Sequence, residues 1–182
     1  MEPLALACVA GLTPPDWEIR LCDELAGDDP GDTKGFQPNL VGITSLTPTA
    51  PRAYEIAAHW RSQGVPVVLG GMHATLCPAE AARYVDTVFA GDAEGAWPRL
   101  IADFEDGRMK PSYDGRAAEL AGAPGPRRDL FRHRYRVSLV SASRGCRHRC
   151  EFCAVWRSAG GRLRSDRWLR SWPTWPVHRS AS

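Results

Sequence analysis

The sequence predicts an α/β fold in which a parallel sheet carries helices on both of its faces. Short apolar runs rich in β-branched residues alternate with longer segments of helical apolar spacing, and glycines follow several of the runs. Strands buried on both faces have this continuous apolar character, and their alternation with helices is typical of parallel sheets. The predicted strands are residues 39–46, 65–69 and 86–90, and the predicted helices between and after them are residues 49–63, 78–84 and 94–104.

The helices that follow these strands have recognisable boundaries. Apolar side chains recur at helical spacing in residues 49–63, and Gly64 follows as a stop signal. Pro78 lies in the first turn of the next helix, where its missing N–H leaves no helical hydrogen bond unmade. The third helix, residues 94–104, is amphipathic. Its shared apolar face comprises Trp97, Leu100, Ile101 and Phe104.

The N-terminal segment departs from the usual order of such a fold. Residues 3–11 predict a short apolar helix that Gly11 ends, and residues 17–23 alternate in polarity like a strand. Residues 26–38 are rich in Gly, Asp and Pro and predict a loop. A doubly wound domain normally begins with a strand, so the first strand of this domain could lie upstream of Met1.

Composition excludes some classes of protein. A content of 43% hydrophobic and 24% charged residues is that of an ordinary globular protein, and a net charge of +2 gives no indication of a nucleic-acid partner. No run approaches the ~18 apolar residues of a membrane span. Glu2 stands where a secretory signal needs basic residues. We therefore expect a cytoplasmic protein without membrane contact, in which the scattered thiols of Cys8, Cys22 and Cys77 stay reduced.

The chain divides into four predicted parts. Residues 1–106 form the α/β domain, and residues 107–134 form a linker rich in Gly, Pro and paired charges. Residues 135–164 begin a second unit, whose strand at 135–142 leads directly into three clustered cysteines. Residues 165–182 are an irregular tail of basic and aromatic residues.

The three clustered cysteines predict a metal site. Cys146, Cys150 and Cys153 have the spacing C-x3-C-x2-C within RGCRHRCEFCAV. Iron–sulfur clusters usually take four cysteines, so a set of three would leave one iron of a four-iron cluster open to a ligand. Zinc, with His148 or a distant group as fourth ligand, is the alternative, and chance clustering is the other.

The segment RGCRHRCEFC resembles the signature loop of the radical SAM enzymes. An aromatic residue precedes the last cysteine in that family, as Phe152 does here, and the loop follows the first strand of a β/α barrel. The resemblance implies that the three cysteines hold a [4Fe–4S] cluster whose open iron binds S-adenosylmethionine. It further implies an electron donor such as flavodoxin or ferredoxin and a 5′-deoxyadenosyl radical that abstracts hydrogen.

A second resemblance covers the N-terminal half. The runs LVGITSLTPTAPRAYEIAAHWRSQGVPVVLGGMHATLCPAEA and VFAGDAEGAWPRL look like the cobalamin-binding domain, with a flavodoxin- or Rossmann-like sheet, that precedes many radical SAM barrels. Glycines and small hydroxyls at strand ends allow a backbone to approach a large ligand closely. The contacts implied by the resemblance are Ser45, Thr47, Gly70, Gly71, His73, Gly91 and Glu94.

The implied activity has alternatives. The D-x-H-x-x-G motif, whose histidine binds cobalt, is absent, so His73 is not interpreted as a cobalt ligand. Methyl transfer is the chemistry that cobalamin often adds in this family, but the sequence does not name a substrate. The alternatives are a cobalamin-binding module with a vestigial metal loop and a small zinc-binding interaction protein.

The resemblance ends at about residue 164. Beyond it, tryptophans stand among Arg, Ser and Pro without helical or strand periodicity, which suggests a truncated or frameshifted product. The alternative is a genuine tail that binds nucleic acid by stacking and phosphate contacts. A full barrel needs about 250 residues, and 48 residues run from Tyr135 to Ser182. We therefore expect the chain to lack turnover on its own.

Overall fold

Four parallel strands form the central sheet in the described part of the chain. The computed structural model describes residues 1–32, 35–116, 122–141, 143–159, 161 and 163–165. The strands lie side by side in chain order. They are β1 (Val41–Thr44), β2 (Val67–Gly70), β3 (Thr87–Gly91) and β4 (Ser112–Gly115). The predicted parallel sheet is thus confirmed, with three of its strands inside or within one residue of the predicted segments.

Six α-helices accompany the strands in the described residues. They are α1 (Leu4–Leu12), α2 (Ala50–Ser62), α3 (Gly71–Leu76), α4 (Pro78–Ala81), α5 (Trp97–Glu105) and α6 (Val155–Ser158). The predicted helices over residues 3–11, 49–63, 78–84 and 94–104 correspond to α1, α2, α4 and α5. The helix α3 begins directly after β2 and was not predicted. No helix among the described residues is long and apolar enough to cross a membrane.

The side chains of the strands build a core on each face of the sheet. On one face, Val67 and Leu69 of β2 pack with α2, α3 and α4. On the other face, Val68 and Phe89 pack with α5, and residues of α1 add to this core. Alternate residues of β2 therefore point to opposite faces, as the geometry of a strand requires. Helices cover both faces, as the sequence predicts.

Residues 17–23 do not form the predicted strand. Trp17 instead packs beside α5, where its ring centroid lies 5.7 Å from that of Phe104 and its Nε1 donates to Glu105 Oε1 at 2.8 Å. The strand β1 is an edge of the sheet, and no described strand pairs with its outer side. The alternating polarity of residues 17–23 therefore does not mark a strand here, and Trp17 at its start packs on a helix from a loop.

Part of the predicted linker belongs to the sheet. The strand β4 lies within residues 107–134 and pairs with β3 in the register Phe89↔Tyr113 and Gly91↔Gly115. Tyr113 is buried, and its hydroxyl donates to Asp103 Oδ2 of α5 at 2.8 Å. The sheet thus extends beyond residue 106, because one buried tyrosine and the pairing with β3 stabilise a strand that glycine and proline surround.

The predicted strand over residues 135–142 is absent from residues 135–141, and residue 142 lies outside the described residues. The segment joins the N-terminus instead, since Leu139 N donates to Glu2 Oε1 at 2.9 Å. The described part of 135–164 contains α6 and strand β5 (Ser143–Arg144), which pairs antiparallel with β6 (Arg164–Ser165). It contains no parallel strand that would begin a barrel. Residues 166–182 of the predicted tail lie outside the described residues.

A buried carboxylate fastens the N-terminus to the segment before the cysteines. Glu2 is only 5% exposed, and its Oε1 accepts from Arg128 Nε and from Leu139 N, both at 2.9 Å. Burial raises the pKa of Glu2, but the hydrogen bonds from Arg128, Leu139 and Ser138 and the charge of Arg128 together outweigh burial and lower it below 4.5. The carboxylate therefore stabilises the folded state in its charged form.

Replacing Glu2 with glutamine is expected to lower the free energy of unfolding at pH 7 by about 1–2 kcal/mol, because a charge-assisted hydrogen bond is lost. A lowered folded-state pKa contributes stability above about pH 4.5 that disappears as the pH falls through it. The stability curves of the two proteins should therefore converge in acid. Urea unfolding between pH 3 and 8 measures this.

The matched control is Glu55→Gln. Glu55 accepts from Arg52 at 2.8 Å in an ion pair that is exposed on α2. Exposed pairs contribute little, so the expected change is below about 0.5 kcal/mol. An equal loss in both variants would contradict the structural role assigned to Glu2.

Candidate functional site

The carboxyl ends of the four strands meet at one edge of the sheet, here called the carboxyl rim. It comprises Thr44–Thr47, Gly70–Thr75, Gly91–Glu94 and Gly115. Backbone hydrogen bonds join the first two segments, because Ser45 N donates to Gly70 O and His73 N donates to Ser45 O, each at 3.2 Å. The rim thus brings together all seven residues that the sequence implies as cofactor contacts, on three separate segments of the chain.

Gly71 allows α3 to begin directly at the end of β2. Its φ of +90° is unfavourable for residues with a side chain. A Cβ at this position would lie 2.7 Å from Thr44 Oγ1 and 2.8 Å from Ser45 O. The glycine is therefore needed for the close approach of α3 to β1, which closes this part of the rim.

Ser45 has a buried hydroxyl that forms no hydrogen bond with the described part of the chain. The residue is 6% exposed, and its Oγ finds no hydrogen-bond partner among the residues that the structure describes. A buried, unsatisfied hydroxyl costs about 1–3 kcal/mol unless a ligand or water completes it. The position of this hydroxyl directly after β1 makes it the clearest candidate for a ligand contact on the rim.

His73 is an interior residue of the rim. It is 1% exposed, with Nε2 lying 2.7 Å from the Tyr54 hydroxyl and Nδ1 lying 3.3 Å from Thr47 Oγ1. The Tyr54 hydroxyl also donates to Glu80 Oε1 at 3.2 Å. Burial and the nearby Glu80 raise the pKa of Tyr54 to about 12, so the phenol remains neutral. Both ring nitrogens of His73 therefore have protein partners, and the residue supports Thr47.

A threonine couples the ends of β2 and β3. Thr75 Oγ1 donates to Gly71 O at 2.8 Å and accepts from Gly91 N at 2.9 Å. Gly91 has a φ of +87°, and a Cβ there would lie 2.5 Å from Arg116 N. Gly91 thus allows β4 to end close to β3, and it lies at the rim as the sequence predicts.

Glu94 is engaged by an arginine from the cysteine-bearing segment. Arg144 Nη1 and Nη2 donate to the two carboxylate oxygens of Glu94 at 2.7 and 2.6 Å, and Nη1 lies 3.1 Å from Asp92 Oδ1. Burial lowers the pKa of Arg144, but the hydrogen bonds and negative charges of Glu94 and Asp92 together outweigh burial and raise it. Sequence analysis missed Arg144 and Asp92; the position of Arg144 two residues before Cys146 was the available signal.

The three clustered cysteines do not form a preassembled metal site. Cys150 is exposed, whereas Cys146 and Cys153 are half-buried. Within the described ranges, no three His, Cys, Asp or Glu side chains lie close enough to bind one metal ion. The chemistry of the three thiols fits an iron–sulfur cluster, but the loop must rearrange to bring their sulfur atoms together.

The loop that carries the cysteines has defined local structure. Gly145 has a φ of +86° before Cys146, and Cys153 N donates to Cys150 O at 3.1 Å. Trp156 Nε1 also donates to Cys150 O at 3.1 Å. Phe152 is 93% exposed. The helix α6, which follows the loop, contacts α3, so the cysteine-bearing segment lies against the carboxyl rim.

Comparison with known proteins decides the family of the sheet domain. The B12 binding domain family matches residues 1–101. The chain belongs to the B12-binding domain family. This confirms the resemblance that the strand-end residues carry, and the matched residues include β1, β2, β3 and the rim segments between them.

The curated relatives of this B12-binding chain include two methyltransferases of Chlorobaculum tepidum. Bacteriochlorophyllide d C-8(2)-methyltransferase is 35% identical over 170 residues, which are 88% of this chain and 37% of the relative. Bacteriochlorophyllide d C-12(1)-methyltransferase is 32% identical over 161 residues, which are 84% of this chain and 35% of the relative. The chain thus spans little more than a third of these relatives.

The match to the first relative includes the cysteine loop. The aligned region covers 88% of this chain, so it extends past residue 153 wherever it begins. Among solved structures, the N-terminal domain of a hypothetical protein from Thermotoga maritima is 26% identical with a TM-score of 0.43. That similarity covers 55% of this chain and 78% of the solved one.

Proposed function

We propose that the carboxyl rim of this B12-binding domain binds cobalamin. The observation that carries the proposal is the Ser45 hydroxyl, which is buried after β1 and has no hydrogen-bond partner among the described residues. A ligand with polar groups would satisfy it. The carboxyl ends of strands are also where open α/β sheets bind their ligands.

The other residues of the rim differ in the part they can play. Gly70 has no side chain, so a ligand can approach the backbone between β1 and β2. His73 and Thr47 form an internal pair that positions the loop after β1. The carboxylate of Glu94 is paired with Arg144 of the cysteine-bearing segment, so Glu94 connects that segment to the rim. Ser45 and the backbone at Gly70 are therefore the proposed direct contacts.

Replacing Ser45 with alanine is expected to weaken cobalamin binding by about tenfold, which corresponds to one hydrogen bond of about 1.4 kcal/mol. Thermal unfolding without ligand should be unchanged or shifted slightly upward, because this hydroxyl has no hydrogen bond to lose among the described residues. Titration of cobalamin, followed by its visible spectrum, measures the first effect.

Ser62→Ala is the matched control for this experiment. The Ser62 hydroxyl donates to His59 O at 2.7 Å at the end of α2 and lies outside the carboxyl rim. Its loss should leave cobalamin affinity unchanged. Equal affinity in wild type and Ser45→Ala, or no binding by either, would argue against the proposed contact.

We further propose that Cys146, Cys150 and Cys153 bind a [4Fe–4S] cluster and that the site takes S-adenosylmethionine. Three thiols on one loop, without a fourth cysteine nearby in the sequence, support a cluster with one open iron. The placement of the loop against the cobalamin-binding rim supports a shared reaction. Such a cluster supplies one electron for reductive cleavage of the bound S-adenosylmethionine.

Methyl transfer is the reaction class that we propose. Two relatives that span this loop or most of it carry the name of bacteriochlorophyllide methyltransferases. The acceptor for this chain is left unassigned, because the chain spans little more than a third of these relatives. A single-electron donor such as flavodoxin or ferredoxin is the partner that this chemistry requires.

Metal analysis distinguishes this proposal from its alternatives. After anaerobic reconstitution, we expect about four iron atoms and matching sulfide per chain. One equivalent of zinc without iron would favour the zinc-binding interaction protein. Cobalamin binding without iron or zinc at the cysteine loop would favour a cobalamin-binding module whose metal loop is vestigial.

A further inference from the structure

The carboxylates at the end of β3 face a cation from a distant part of the chain. Asp92 and Glu94 lie in the turn between β3 and α5, and Arg144 lies 50 residues after Glu94. The guanidinium of Arg144 contacts both carboxylates, and its two bonds to Glu94 have the parallel geometry of a bidentate pair. This contact joins the sheet domain directly to the cysteine loop.

The burial of this ion pair makes it a strong connection. The side chain of Glu94 is 8% exposed and that of Arg144 is 26% exposed. Removing one member would leave a charge in a poorly solvated position, which is far more costly than losing an exposed pair. The other arginines of the loop, Arg147 and Arg149, are exposed and form no ion pair with a described residue.

The antiparallel pair β5–β6 reinforces the same contact. Arg144 is part of β5 and pairs with Arg164 of β6. Arg164 Nη2 lies 2.6 Å from Asp92 Oδ2, so Asp92 is held from both strands of the pair. On the other side of the loop, α6 contacts α3 at the start of the rim. The three cysteines thus lie, along the chain, between two segments that contact the rim.

We propose that Arg144 is a positioning residue that holds the cysteine loop on the carboxyl rim through Glu94 and Asp92. If the proposed function holds, iron loading at the loop and cobalamin binding at the rim influence one another through this contact. This consequence rests on the proposed function, whereas the contact itself does not. By linkage, each ligand changes the affinity for the other by the same factor. Arg144 does not itself touch either cofactor in this assignment.

Hydrogen–deuterium exchange of the full chain without cofactors tests the anchor itself. In Arg144→Ala, amide exchange in peptides covering residues 145–159 should rise at least about fivefold, while peptides of β2 stay protected. Arg149→Ala is the control, because it removes an exposed arginine of the same loop and should leave exchange unchanged. Equal protection in wild type and Arg144→Ala would overturn the proposal.

A charge exchange separates positioning from general stability. Arg144→Glu and Glu94→Arg should each release the loop, whereas the double variant restores the pair and should recover most of the protection. Arg144→Lys retains the charge without the bidentate geometry and should recover only part of it. Failure of both the double variant and Arg144→Lys to recover any protection would show that Arg144 acts only as a part of the local fold.

The cofactor readout keeps this inference distinct from the proposed function. In wild type, iron reconstitution should change the dissociation constant of cobalamin by about fivefold or more, and in Arg144→Ala this factor should approach one. If wild type takes up no iron, the proposed cluster is wrong, while the exchange experiment still decides the anchor. An unchanged factor in Arg144→Ala would refute the coupling.

Discussion

Replacing Gly71 with alanine is expected to lower the free energy of unfolding by about 3 kcal/mol. Part of this loss arises because a φ of +90° costs a residue with a Cβ roughly 1–2 kcal/mol. The remainder arises because the new methyl group would lie 2.7 Å from Thr44 Oγ1 and 2.8 Å from Ser45 O, and such overpacking costs about 1–3 kcal/mol. Urea unfolding monitored by circular dichroism measures the change.

Gly64→Ala is the control that separates the two contributions. Gly64 also has a positive φ, of 78°, but a Cβ there would meet nothing within 4 Å. It should therefore lose only the conformational part, roughly 1–2 kcal/mol. Gly71→Ala should in addition bind cobalamin more weakly, since relief of the contact moves Ser45. Equal losses of stability in the two variants would show that α3 and β1 are not held at the distance described.

Replacing Cys150 with alanine is expected to reduce iron uptake by more than about tenfold while leaving the sheet domain folded. Cys150 is exposed, and the buried core of the domain does not include it. The expected loss follows because two cysteines hold a [4Fe–4S] cluster poorly. Iron and sulfide analysis after anaerobic reconstitution, with thermal unfolding of the same samples, measures both properties.

Cys22→Ala controls for the general removal of a thiol. Burial and the neighbouring Asp28 carboxylate raise the pKa of Cys22 to about 11, so this thiol is protonated at neutral pH and is a poor metal ligand. Iron uptake should therefore be unchanged. If Cys150→Ala unfolded the whole chain, the metal would be structural, as in small zinc domains, and the proposed redox role would fail.

Local sequence pattern predicts β1, β2, β3 and the helices of the sheet domain because buried parallel strands need continuous apolar runs. The same reasoning fails for residues 17–23, which form a loop whose Trp17 packs on α5. It also misses β4, because Tyr113 alone carries much of its burial and the pairing partner is β3. A strand that depends on its neighbour has a weak signal in its own sequence.

The predicted strand before the cysteines fails for a related reason. Residues 135–141 have suitable β-branched residues, but the backbone of Leu139 is bonded to Glu2, far away in the sequence. A strand requires a partner strand, and residues 135–141 pair with none of the strands in the described part of the chain. Local propensity therefore did not decide its conformation.

The sequence by itself determined the positions of the carboxyl rim and of the cysteine loop, because strand ends and cysteine spacing are local properties. Only the tertiary structure decided which rim residues are available. It leaves the Ser45 hydroxyl without a partner among the described residues, buries His73 against Tyr54, and binds Glu94 to Arg144. These differences depend on contacts between residues up to 50 positions apart, and the energy of a polar group is set by such partners.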